Sequence, residues 1–166
     1  ELHGSRLQIA PFVVTGYSTL LLWRNCSFRG IKAIESNRSL LNHRNVKLID
    51  IFAARMLLEV AGVTASFVLV MLVLFAVGII AAPHDILLML GGWFLMAWFS
   101  VNLGVILGCL SERSDLVERL WHPASYFLLS ISGSFFMVAW LPVRWQSAVG
   151  FVPMVNATEM LRAGFF

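Results

Sequence analysis

Side chains able to do chemistry are few in this chain, and their placement limits what it can do. Only 13% of the residues are charged, against 59% hydrophobic, whereas an average soluble domain is about a quarter charged. Glu59 and His122 stand near the ends of long uncharged stretches whose centres hold no ionisable group. Ionisable groups at membrane depth are the usual mark of proton or ion coupling, so a proton-driven transporter or ion pump is disfavoured. Ser130, Ser132 and Ser134 have no basic neighbour in the same stretch, which leaves an intramembrane nucleophile without an activator. No GxxxxGK[ST], GxGxxG, HExxH or GxSxG occurs, so phosphate-binding loops and hydrolase sites lack support. His3, His43, His84 and His122 are scattered and do not resemble a metal site. Cys26 and Cys109 lack metal-ligand spacing. Both fall near the expected cytoplasmic face, where a disulfide is disfavoured, and they read as interfacial residues. The Asn-x-Ser/Thr triplets at Asn25, Asn37 and Asn156 read as chance.

What remains is chemistry of docking and packing. Seven of the twelve basic residues lie between Arg24 and Arg55. Glu159 and Arg162, three residues apart, can share a helix face and form a structural salt bridge.

The elements that must position these groups are membrane helices. Val60 to Ala82, Ile86 to Ser111 and Leu120 to Val143 carry no Asp, Glu, Lys or Arg over 23, 26 and 24 residues. About 20 apolar residues cross a hydrocarbon core, and only helices or closed barrels satisfy their backbone there. Leu7 to Trp23 is a marginal fourth span, with Trp23 and Arg24 as an interfacial anchor pair. The expected spans are therefore about 7–23, 55–82, 86–111 and 120–142. Nine basic residues (those from Arg24 to Arg55, with Arg113 and Arg119) lie on one side of these spans and three (Arg6, Arg144, Arg162) on the other. Positive residues mark cytoplasmic loops, which makes the segment 26–54 and the loop SERSDLVER cytoplasmic. The turn Ala82-Pro83-His84-Asp85 and everything from Leu141 onward then lie outside. With both ends outside and no signal peptide, the chain reads as a piece of a longer protein.

The cytoplasmic segment has apolar residues at spacings that suit short amphipathic helices. Ser36 or Asn37 can cap a helix over Arg38 to His43. Arg55 and Glu59, four apart, can pair on one face of the following helix. Gly104-Val-Ile-Leu-Gly108 matches the small-xxx-small pattern of close helix contact. Beyond the fourth span, Pro142 and Pro153 break the chain into two short pieces within 144–164, too short and polar to cross, which lie at or re-enter the outer interface. The chain has a structured basic loop but no energy source, which suits a membrane subunit driven by a separate soluble protein. An ordinary solvated connector has the same charge pattern.

The runs IKAIESNRSLLNHRNVKLIDIFAARMLLE, SYFLLSISGSFFMVAWLP and VPMVNATEMLRAGFF resemble the permeases of bacterial capsular polysaccharide ABC exporters, the type-2 exporter permease family, in the same order and over nearly the whole chain. The resemblance implies an all-α integral membrane protein of the bacterial inner membrane. It would be a polytopic helical permease with four of six spans present, a cytoplasmic coupling helix and short external re-entrant helices. Asn37, Arg38, Ser39, Leu40, Leu41, Asn42, His43 and Arg44 match the coupling helix that docks on an ABC ATPase subunit. That partner would bind the ATP and Mg, and this chain would hold no cofactor and have no catalytic residue. Glu159 and Arg162 match the external gate. The implied assembly is a homodimer exporting lipid-linked polysaccharide, in contact with membrane lipids and periplasmic export proteins and with no nucleic acid. Trp98, Phe99, Tyr126, Phe135, Phe136 and Trp140 could line the sugar path by stacking on sugar CH faces, or face lipid. Another cargo (O-antigen, teichoic acid, lipid or drug) and a non-transporting scaffold subunit remain open beside this reading.

Overall fold

The computed structural model describes residues 9–39, 47–80 and 83–165, and every regular element in them is helical. The helices are α1 (Ile9–Ile31), α2 (Leu48–Ala76), α3 (Ile86–Ser111), α4 (Asp115–Ile131), α5 (Val143–Val149) and α6 (Pro153–Phe165), with 3-10 turns at Glu35–Asn37 and Val138–Trp140. Of these, α2 and α3 are long and apolar enough to cross a membrane.

α3 coincides with the expected third span, but the other boundaries move. α1 does not stop at Trp23. It runs to Ile31, because Cys26, Ser27, Gly30 and Ile31 bury a further face against α3. Trp23 is consequently fully buried rather than an interfacial anchor, and Cys26 is a core residue rather than an interfacial one. α2 starts seven residues before the expected span, at Leu48, where the Asp50 carboxylate accepts the Lys47 N–H at 2.9 Å. It stops at Ala76, not Ala82, because Gly78 takes φ +76° and turns the chain out of the helix. The fourth apolar stretch is likewise not one helix over 120–142. α4 begins in the polar loop, where the Ser114 hydroxyl accepts the Leu116 N–H at 3.3 Å. It ends at Ile131, and Gly133 at φ +75° supplies the left-handed residue just beyond it.

α1, α3 and α6 form the core, and each crossing has glycine where the backbones meet. A methyl on Gly104 would stand 2.6 Å from the Cys26 carbonyl oxygen, and one on Gly108 would stand 2.7 Å from that of Gly30. The small-xxx-small pattern is thus the contact surface of α3 for α1. α6 lies antiparallel along the first turns of α3. A methyl on Gly92 would be 2.9 Å from the Ala157 carbonyl oxygen, and one on Gly164 2.7 Å from that of Asp85. α2 packs on α1 and α3 through Met56, Val63 and Phe67, with Phe67 stacked on Trp93 at 4.5 Å and Trp93 donating to Thr64 at 3.0 Å. Much of the rest of α2, including Leu69, Leu72, Val73 and Phe75, is exposed apolar surface. That is the expected face of a helix whose solvent is lipid.

Candidate functional site: the elbow after helix α1 and the Arg162 clamp

Helix α1 leads into a folded elbow. Ala33 and Ile34 pack with Ile51 and Phe52 of α2 in a small core that also touches Val105 of α3. The Ser111 hydroxyl donates to the last carbonyl of α1, that of Ile31, at 3.0 Å and so ties the elbow to the end of α3. Asn37 sits in the 3-10 turn Glu35–Asn37 and its Nδ2 donates backward to the Ala33 carbonyl at 2.8 Å; the helix that Ser36 or Asn37 was expected to cap lies mostly outside the described residues. Arg38 and Ser39 are exposed just beyond it. Leu40, Leu41, Asn42, His43 and Arg44 of the expected coupling helix lie outside the described residues. A polar cleft of about 240 Å³ opens beside the elbow, lined by Glu35, Arg38, Glu112, Asp115 and Glu118 with Ile31, Ile34 and Ser111.

Ion pairs fasten the same end of the molecule. Lys32 reaches Glu118 of α4 at 2.8 Å. Both groups are exposed and outside the apolar stretches. Hydrogen bonding to Lys32 holds the Glu118 carboxyl below its ordinary value, and the same bond raises the Lys32 ammonium. Glu59 does not pair with Arg55 within α2. It pairs across to Arg29 of α1 at 3.4 Å, because α1 continues past Trp23 and brings Arg29 alongside.

At the opposite end Arg162 is almost fully buried, with 2% of its side chain exposed. Its Nη1 donates to the carbonyls of Gly133 and Phe136, both at 2.8 Å, and its Nη2 to that of Ser134 at 2.7 Å. Phe12 of α1 lies under the guanidinium, 4.1 Å from ring centroid to Cζ. Glu159 stands 3.9 Å away and accepts the Val138 N–H at 3.0 Å. Residues 132–137 have left the helical ladder, so their carbonyls need donors. Arg162 provides them for Gly133, Ser134 and Phe136, and the expected Glu159–Arg162 pair is the weaker part of a clamp on the broken backbone after α4.

The six aromatic residues offered for a sugar path do not converge. Trp98 stacks near Phe94 on α3, Phe99 packs on the core, and Tyr126 lies under Arg24 at 5.3 Å. Phe135 is exposed, Phe136 gives its carbonyl to Arg162, and Trp140 rests on Phe12 at 5.6 Å. Sequence reasoning missed a cleft of about 510 Å³ between α1 and α2, lined by Tyr17, Ser18, Asn25, Glu59 and Ser66 among apolar side chains. The signal was present as polar residues eight apart on α1, at Tyr17 and Asn25, and seven apart on α2, at Glu59 and Ser66.

Comparison with known proteins places the chain. Residues 13–166 match the family model described as ABC-2 type transporter, and the chain belongs to that family. It is 44% identical over 162 residues to the capsule polysaccharide export inner-membrane protein BexB of Haemophilus influenzae, across 98% of this chain and 61% of that protein. It is 42% identical, with the same coverage of each, to the capsule polysaccharide export inner-membrane protein CtrC of Neisseria meningitidis. It is 28% identical over 151 residues to the polysialic acid transport protein KpsM of Escherichia coli, across 91% of this chain and 58% of that protein. The chain thus spans about 61% of the length of the first two relatives.

Proposed function

We propose that the chain is the membrane-spanning part of an ATP-driven exporter that moves capsular or related lipid-linked polysaccharide across the bacterial inner membrane. The observation that carries this reading is the identity of over 40% across 98% of the chain to proteins named for capsule polysaccharide export. In this reading α1 to α4 cross the membrane. The elbow after α1 and the α3–α4 link face the cytoplasm, and α5 and α6 form the external pair. Two copies would enclose the path, and a separate ATPase subunit, holding ATP and Mg, would dock on the segment from Asn37 to Arg44.

The elbow gives this reading a mechanical basis. A push on the docking segment acts at once on α1, α2 and α3, because Ala33, Ile34, Ile51, Phe52 and Val105 form one packed unit. Packed cores transmit displacement rather than absorb it, so ATP-driven approach of two partner subunits would rock these helices as rigid bodies. Leu40 and Leu41 would fill an apolar groove on the ATPase while Arg38 and Arg44 set orientation at its rim.

The test is co-purification of the full-length protein from its host membrane. A Walker-motif ATPase in roughly equal amount is the expected companion, lost in Leu40→Asp and Leu41→Asp while the membrane helices stay folded. Retention of the ATPase by both variants would remove the docking assignment. Its absence from the wild-type protein would favour a non-transporting scaffold.

A further inference from the structure

Four side chains on the α1–α4 face are used by neither the elbow nor the clamp. Arg24 and Phe28 stand one turn apart on α1, and His122 and Tyr126 one turn apart on α4. The Arg24 guanidinium lies 5.3 Å from the Tyr126 ring and 5.6 Å from the Phe28 ring. Phe28 in turn packs on His122 at 5.1 Å. Arg24 is half-buried and makes no ion pair among the described residues. The carboxylates that α2 and α4 bring close to α1 are already taken, Glu59 by Arg29 and Glu118 by Lys32. Because α1 runs on to Ile31, Arg24 is seven residues inside the helix, about 10 Å from its end.

A cation held within a helical bundle without a carboxylate is costly unless something anionic meets it. Cation–π contact with the two rings holds the guanidinium beside them, and its N–H groups have no acceptor among the described residues; a guanidinium matches a carboxylate with two parallel hydrogen bonds. His122 is exposed beside it, and Tyr126 keeps 59% of its surface open. An aromatic surface next to a cation suits a sugar ring that carries a carboxylate. Resting on the transport reading above, we propose that Arg24, Phe28, His122 and Tyr126 form a binding site for an acidic sugar unit of the exported glycan on the cytoplasmic half of its path. Arg24 holds the carboxylate, and His122 and Tyr126 bear on the ring and its hydroxyls.

The experiment uses the full-length permease with its ATPase in nanodiscs of phosphatidylcholine, with or without phosphatidylglycerol. The probes are an oligosaccharide of sialic acid and a neutral dextran oligosaccharide. The wild-type complex should prefer the acidic probe in both lipids. Arg24→Gln should lower its affinity for that probe about tenfold, the loss of one charge-assisted contact, and leave dextran binding unchanged. Arg24→Lys should recover part of the loss, which guards against a folding defect in the first variant. Equal affinity of wild type and Arg24→Gln, no preference of the wild type for the acidic probe, or an effect of Arg24→Gln confined to phosphatidylglycerol discs would overturn the site. The last result would make Arg24 a lipid-headgroup contact. The transport reading fails separately, through loss of the ATPase from the wild-type complex.

Discussion

Arg162 Nη2 donates to the Ser134 carbonyl at 2.7 Å, joining α6 to the backbone that follows α4. With Gly133 and Phe136 it gives three charge-assisted bonds from one buried side chain. Such bonds contribute about 1.5–3 kcal/mol each, and removing the donor leaves acceptors unsatisfied where water is scarce. Arg162→Gln is therefore expected to destabilise the protein by several kcal/mol, on the order of 3–5, read as a lowered unfolding midpoint in detergent. Glu159→Gln keeps an oxygen for the Val138 N–H and should cost less than about 1 kcal/mol. Equal losses for the two variants would make the Glu159–Arg162 pair, rather than the carbonyl clamp, the stabilising feature.

The glycine crossings separate packing from propensity. Gly104 and Gly108 have no room for a methyl beside Cys26, Gly30 and the Phe52 ring, whereas a methyl on Gly62 would meet nothing within 4 Å. Gly104→Ala and Gly108→Ala are expected to destabilise by about 1–3 kcal/mol through forced separation of α1 and α3. Gly62→Ala should be neutral or gain a few tenths, since alanine favours helix over glycine. Detergent unfolding of the three variants checks this. A loss at Gly62 as large as at Gly104 would remove the crossing argument.

What the sequence made legible follows from which force sets each feature. The apolar stretch of α3 contains Gly91, Gly92, Gly104 and Gly108 without breaking, with Gly92, Gly104 and Gly108 packed on the backbones of neighbouring helices. Gly78 and Gly133 take positive φ and end α2 and α4. Hydropathy alone reads through all six, so the expected spans at 55–82 and 120–142 overran the C-terminal ends of α2 and α4. The start of α4 was hidden for the opposite reason, since a polar first turn capped by Ser114 resembles a loop. The clamp was half visible. The three-residue spacing of Glu159 and Arg162 put them on one face, but the N–H that Glu159 accepts and the carbonyls that Arg162 serves lie more than 20 residues away. Arg24 looked like a boundary because charge ends an apolar run, although it does not end a helix.

Asp85 provides a local test of how α3 and α6 are joined. Its Oδ1 accepts the N–H groups of Leu87 and Leu88 at 2.9 and 3.1 Å, and its own N–H donates to the Gly164 carbonyl at 2.8 Å. Asp85→Ala removes the side-chain cap and keeps the backbone bond, with an expected cost of about 1 kcal/mol. Asp85→Asn should retain nearly all the stability. Hydrogen exchange at Leu87 and Leu88 is the direct measurement, and unchanged protection in Asp85→Ala would show that the cap is not formed.

The Lys32–Glu118 contact gives a pH dependence with a definite sign. The Glu118 carboxyl titrates below its ordinary value of 4.5 in the folded protein, chiefly because Lys32 donates to it. A depressed carboxyl contributes stability above its unfolded value and loses it as pH falls through the folded value. The Lys32 ammonium, raised above 10.5, contributes below that value and loses its share as pH rises through the folded one. The pair thus fastens α4 to the elbow across the neutral range and releases it at either extreme. Both groups are exposed, so the effect is small and screened by salt. Glu118→Gln should be slightly less stable than wild type at neutral pH and low salt. The two proteins should converge as the pH falls through the depressed folded value of the Glu118 carboxyl, and also when salt is raised at neutral pH. A difference that persisted in acid would mean that Glu118 acts through packing and not through its charge.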